Sequence, residues 1–192
     1  LGQYLNDPLI FLIEVVFGLY VTVVLLRFLF QLFGVDFYNP ICRLVVKITN
    51  PPLRFLRPIV PGIGKIDVSS IILMLTVQYV SFILITLIIG AKFLPVALLA
   101  LSAVEIINHT FNIFIFSVII LAIFSWISSP YQYNPVVQIL HQLTQPVMRP
   151  IQKLMPPVSG IDLSPMLALI GLFFFKLLII PPLRGLAGYI PA

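Results

Sequence analysis

A chain of 192 residues with 60% hydrophobic and only 9% charged residues cannot keep a water-facing surface wetted, because soluble domains spend about a quarter of their residues on charge. Eleven basic residues behind a net charge of +5 are too sparse for a nucleic-acid groove, and the lone Cys42 excludes an internal disulfide and a cysteine-built metal cage. Lipid is the solvent this composition fits.

Crossing a bilayer takes about 20 helical residues, and four stretches are long and apolar enough. The first is expected over about residues 9–33, with Glu14 and Arg27 inside it. It is too long for a signal segment and has no small-residue cleavage site, so no cleavable signal is expected. A long connection follows, Gly34–Ile66. Within it Asn39-Pro40 reads as a helix start, Asn capping and Pro at the first helical position. Ile41, Leu44, Val45 and Ile48 then form one apolar stripe. The prolines of Thr49-Asn50-Pro51-Pro52 are expected to end this helix. At roughly nine residues it is too short to cross and should lie in the headgroup plane. Asp67 and Ser69 cap a second span over about residues 68–89.

Pro95 opens the next apolar run. Its first part, Val96–Val104, reads either as an extension of the third span, about residues 106–127, or as a separate interfacial helix. A second long connection, Ser128–Ile161, starts a helix at Asn134-Pro135. Val136, Ile139, Leu140 and Leu143 give it a stripe, and Thr144-Gln145-Pro146 is expected to end it. Asp162 and Ser164 cap a fourth span, about residues 163–180. It holds Lys176 and is expected to stop at Pro181-Pro182.

The two connections are copies. Displaced by 95 residues, Tyr38, Asn39 and Pro40 fall on Tyr133, Asn134 and Pro135. Thr49, Pro51, Arg54 and Pro61 fall on Thr144, Pro146, Arg149 and Pro156, and Ile66, Asp67 and Ser69 on Ile161, Asp162 and Ser164. Ten identities in 32 residues, mostly Pro, Asn, Asp and Arg, are not shared greasiness but an internal duplication. The expected units are residues 1–92 and 93–192. Each has two spans, so both enter the membrane in the same sense and the repeats are parallel, not inverted. Seven basic residues lie in the two connections, with only Lys92 and Arg184 on the other side. The positive-inside rule therefore places both connections in the cytoplasm and both termini outside.

Several residues invite a functional reading. Arg43, Lys47, Arg54, Arg57, Arg149 and Lys153 beside the apolar stripes suit a platform for a membrane partner or anionic lipid headgroups. The blander reading is that the repeated Pro, Asn, Thr and Asp only shape caps and turns. Glu14 falls on His109 under the same displacement, so the two could share a proton or an ion, although both could equally reach water at helix ends. Arg27 and Lys176 read as snorkelling side chains. His109 and His141 are the only histidines and belong to opposite sides of the membrane, which argues against a haem held within one chain. No catalytic triad, phosphate loop or metal cluster is legible, so an enzyme, a cofactor and direct nucleic-acid binding are not expected.

Asp36-Phe37-Tyr38-Asn39-Pro40, Val45-Val46-Lys47-Ile48-Thr49, Arg149-Pro150-Ile151 and Gly160-Ile161-Asp162-Leu163-Ser164-Pro165, with Ser125-Trp126, resemble the YggT (YlmG) family in its two-copy form. Arg54-Phe55-Leu56-Arg57-Pro58 departs from the tighter Arg149-Pro150-Ile151 of the second copy. The resemblance implies an all-α bacterial inner-membrane protein. Family members are linked loosely to cell division, to osmotic or ion stress and, in chloroplasts, to cytochrome assembly and nucleoid distribution, without an enzymatic activity. The expected function is a non-catalytic scaffold or assembly factor. The alternative is an oligomeric channel or transport subunit for ions or osmolytes.

Overall fold

The computed structural model describes residues 2–60, 62–127, 134–154 and 162–188. Six helices follow one another: α1 (Gly2–Phe33), α2 (Pro40–Leu56), α3 (Val68–Ile89), α4 (Pro95–Ile127), α5 (Pro135–Leu154) and α6 (Ser164–Gly188). Four are long and apolar enough to cross a membrane, over Asn6–Phe33, Val68–Ile89, Pro95–Ser125 and Ser164–Gly188. They are apolar on all sides, which marks helices surrounded by lipid rather than half-sunk in a soluble core. Leu177, Phe174 and Phe116 accordingly point outward at 60–70% exposure. The protein is an all-helical, multi-pass membrane protein. By contrast α2 and α5 are strongly amphipathic.

One open boundary is decided and three others are corrected. Residues 96–104 are the first turns of α4, the first of the two readings. Nothing between Pro95 and Ile127 breaks the helix, and the Leu98 N–H bonds back to the Leu94 carbonyl at 2.9 Å. The fourth span does not stop at Pro181-Pro182 but runs on to Gly188. Likewise α2 passes through Pro51 and Pro52, and α5 through Pro146 and Pro150, giving 17 and 20 residues instead of about nine. A proline removes one backbone donor and disfavours helix before it. Leaving the helix in lipid would strand several more, so continuing with a kink costs less.

Helix α1 packs chiefly on α3 and α4 chiefly on α6, while α3 against α4 joins the halves. Small side chains line these contacts: Ser69, Ser70, Ser81, Ser102 and Ser117 are all buried, and such residues let membrane helices approach closely. The Ser102 and Thr86 hydroxyls donate to their own helix, to the Leu98 and Phe82 carbonyls at 2.7 Å. Gly90 closes α3 in the left-handed region, φ 69°, its N–H bonding the Thr86 carbonyl.

Both long connections leave the same end of the bundle, and α2 and α5 touch. The Asn39 side-chain amide donates to the Pro135 carbonyl at 2.9 Å. The Asp36 N–H donates to Gln142 Oε1 at 3.1 Å. The tightly packed core sits at this end. Val21, Val24, Leu25, Leu29 and Phe30 of α1 meet Cys42, Val45 and Leu53 of α2, Met74 of α3, Phe114 of α4 and Leu143 of α5. The opposite half packs Ala97, Leu98, Ser102, Val104, Ile180 and Ala187 and leaves a cavity beside them.

Candidate functional site

The platform is built by the duplicated motif. Asn39 Oδ1 accepts from the Ile41 N–H at 3.0 Å, and Asn134 Oδ1 from the Val136 N–H at 2.9 Å. Pro40 and Pro135 then occupy the first position of α2 and α5, where no donor is missed. Thr49 and Thr144, each two residues before a helix proline, donate to the carbonyls four residues back, Val45 and Leu140, at 2.7 and 2.8 Å. At the far end Arg57 pairs with Asp67 at 2.8 Å, and in the second copy Gln152 donates to Asp162 at 3.4 Å. Each copy thus ties the end of its interfacial helix to the cap of its following span. Burial raises the Asp67 carboxyl, but the bonds from Arg57 and Ser70 outweigh it and hold it below the usual carboxylate range. Tyr38 is 88% exposed and makes no part of this framework beyond its backbone N–H, which donates to Asp36 Oδ1. Tyr133, its counterpart, lies outside the described residues, as do Pro61 and Pro156.

Arg27 is the residue that sequence reasoning misread. It does not snorkel to water: it is 5% exposed. From the wall of α1 its Nη1 donates to Thr49 Oγ1 at 2.7 Å and Asn50 Oδ1 at 2.9 Å, with the Val46 carbonyl at 3.3 Å. These acceptors lie just before Pro51, so Arg27 pins α2 beside its paired prolines. Ala122 stands in the corresponding place of the second copy. Lys176, the other intramembrane cation, donates to Asn112 Oδ1 at 2.6 Å within the bundle.

Helix α2 also sits rotated from its expected seat. Its buried face is Cys42, Val45, Thr49 and Leu53, whereas Leu44 and Ile48, two members of the expected stripe, face outward. In α5 the buried residues are Ile139, Leu143 and Thr144, with Val136 turned out. Burial, reinforced by Asp36, pushes the Cys42 thiol up to about 11 and leaves it an unreactive core group.

On the outward face of α2 stand Arg43, Lys47, Arg54 and Arg57, interleaved with Leu44, Ile48 and Phe55. Three of these cations come together: Lys47, Arg54 and Arg57 line a groove of about 740 Å³ with Asn50, Pro51, Phe55 and Pro58. Arg149 and Lys153 are exposed on α5 but are not part of that groove. Among the described residues no group of three His, Cys, Asp or Glu is placed to hold a metal ion. The other expected pair, Glu14 and His109, lines one cavity in the opposite half of the bundle. There His109 sits in the middle of α4, not at a helix end, because α4 starts at Pro95.

Four spans in two like pairs, each pair bracketing a proline-kinked amphipathic helix at one end, define a duplicated polytopic membrane protein. The CCB3/YggT family matches the chain twice, over residues 6–88 and 100–183, and the protein belongs to that family. Among its relatives is an uncharacterized protein of Pseudomonas aeruginosa, 37% identical over 187 residues, which cover 96% of this chain and 94% of that one. The uncharacterized protein YggT of Escherichia coli is 35% identical over 172 residues, 89% of this chain and 88% of its own. A Vibrio alginolyticus protein is 34% identical over 170 residues, 88% of this chain and 91% of its own. No solved structure matches the chain.

Proposed function

We propose that the protein is a non-catalytic scaffold of the bacterial inner membrane. Its paired interfacial helices face the cytoplasm, both termini face the periplasm, and the platform seats anionic phospholipid headgroups while organising a membrane partner or further copies of the chain. One observation carries this reading: Lys47, Arg54 and Arg57 converge on an open groove beside outward-facing Leu44, Ile48 and Phe55. Apolar side chains in the acyl boundary with cations at phosphate height are what an interfacial helix needs to hold anionic lipid. Each such cation contributes about 1 kcal/mol. Arg57 is partly spent on Asp67, which leaves Lys47 and Arg54 as the main contributors.

The test is charge reversal. Arg54→Glu with Arg149→Glu should weaken binding of phosphatidylglycerol to the detergent-purified protein by at least about tenfold, read by native mass spectrometry with phosphatidylcholine as control. Lys92→Glu, at the opposite end, should leave it unchanged. Equal losses in the two variants would count against the platform. The scaffold part is read separately, by whether a membrane protein co-purifies in stoichiometric amount with the wild-type chain and is lost with Arg54→Glu/Arg149→Glu.

A further inference from the structure

Opposite the platform lies a partly open cavity of about 430 Å³ lined by all four spanning helices. Glu14 and Gly18 come from α1, Gln78 and Ser81 from α3, Glu105 and His109 from α4, and Arg184 from α6. It reaches from the level of Arg184, half exposed near the end of α6, to that of Gln78, about 15 Å from either end of α3 at 1.5 Å per residue. A polar hollow at the middle of a lipid-facing bundle is costly and calls for an occupant.

The unmet hydrogen-bonding needs of its walls say what that occupant brings. Gln78 is 6% exposed, and its Oε1 is buried with no donor. The charges are largely settled: Glu105 is held by Arg184 at 2.7 Å and by the Asn108 amide at 2.7 Å. Lys176 is bonded to Asn112 and does not line the cavity. Among the described residues Glu14 is therefore the lining charge that no ion pair opposes. His109 packs over Gly18, its ring carbon 3.8 Å from where a Cβ would stand, so a larger residue at position 18 would narrow the space. Ser81, His109 and the Gln78 amide nitrogen can donate within the lining, but its buried unmet atom is an acceptor, Gln78 Oε1, and its charges leave one negative in excess, so it asks for a donor and a positive charge. A dehydrated divalent ion would need about six oxygen ligands, more than converge here. At about 30 Å³ per water, 430 Å³ holds on the order of fourteen waters.

We propose that this cavity is a water-filled vestibule that takes a monovalent cation, with Glu14 as the counter-charge and the Gln78 amide oxygen as the neutral ligand near the membrane midplane. The occupant is either an ammonium ion, donating directly, or a hydrated alkali ion, donating through its waters. The proposal is independent of the lipid platform, which lies at the other end of the bundle.

Cysteine labelling tests it in reconstituted vesicles, and the buried Cys42 (0% exposed) keeps the background silent. Leu101→Cys, on the cavity wall, is treated with a trimethylammonium-ethyl or a sulfonato-ethyl methanethiosulfonate. Once corrected for their rates on a free thiol, the cationic reagent should react at least about threefold faster, and Glu14→Gln should remove the preference. Ammonium chloride should slow labelling relative to N-methylglucamine chloride at equal ionic strength. Protection by rubidium chloride as well identifies a hydrated ion, and protection by ammonium alone identifies direct donation. Leu177→Cys, on the outer surface away from the cavity, reports lipid-facing reactivity. Ile85→Cys repeats the measurement should Leu101→Cys not fold. Equal rates for both reagents, no labelling at either wall position, or no protection by either cation overturns the proposal.

Discussion

At the scale of single residues, the duplicated motif proves to be mostly architecture. Asn39, Thr49 and Asp67, and Asn134, Thr144 and Asp162 after them, make caps and ties, which is what turn chemistry alone suggests for these residue types. The departures from the repeat are more informative. Arg27 has no basic counterpart, since Ala122 takes its place, and it anchors only the first interfacial helix. A hydrogen bond to a charged donor is worth about 1.5–3 kcal/mol. Arg27→Ala should therefore cost about 2–3 kcal/mol, measured by thermal unfolding in detergent. Arg27→Lys should recover part of it, since one ammonium keeps the charge but not the forked geometry. Lys176→Ala, which removes one bond to Asn112, should cost less. Arg27→Ala as stable as the wild type would mean that α2 is held by its apolar face alone. The sequence displayed this arginine plainly but not its acceptors, which come from a different helix. A long basic side chain near the end of a span reads as water-seeking until the helix beyond the loop is seen folding back over it. Gln78 was hidden for a related reason: an uncharged amide in an uncharged span gives no signal until the cavity around it is visible.

At the scale of elements, apolar length located all four spans, and the Asn-Pro pairs located the starts of α2 and α5. The ends were misjudged at each proline pair or spaced proline, at Pro51-Pro52, Pro146, and Pro181-Pro182, because the rule that proline ends a helix assumes water is ready to take the freed carbonyls. At the membrane edge, continuing through the kink is cheaper. In α2 the prolines sit beside the groove, Pro51 lining it between Lys47 and Arg54. Shape and stability should then separate. Replacing Pro51 and Pro52 together by alanine restores two backbone donors and, in an isolated helix, about 3 kcal/mol of propensity per residue. The variant should unfold no more easily than the wild type. Its affinity for phosphatidylglycerol should nevertheless fall, because a straightened α2 turns Arg54 and Phe55 away from Lys47. Unchanged lipid affinity would show that the cations act as a diffuse charge and that the groove has no part in it.

At the scale of the whole molecule, duplication and parallel insertion make each half a complete two-span unit. The seam between them is made of α3 against α4, of α1 against α4 and α5, and of two hydrogen bonds, from the Asn39 amide to the Pro135 carbonyl and from the Asp36 N–H to Gln142 Oε1. None of these contacts needs the short link between α3 and α4, whose residues 91–94 are exposed or half-exposed. Two chains, residues 1–91 and 92–192, should accordingly reassemble when made together and co-purify in mild detergent. Gln142→Leu should reduce the yield of the pair without affecting either half by itself. Made alone, the halves should differ. The first connection holds five basic residues and the second only Arg149 and Lys153, and orientation follows that bias. The second half by itself should insert in both senses, with protease access to its connection from either side, and regain a single sense when the first half is present. Halves that purify apart, or a second half that orients itself without its partner, would place the determinants of assembly within each repeat and leave the seam as mere adjacency.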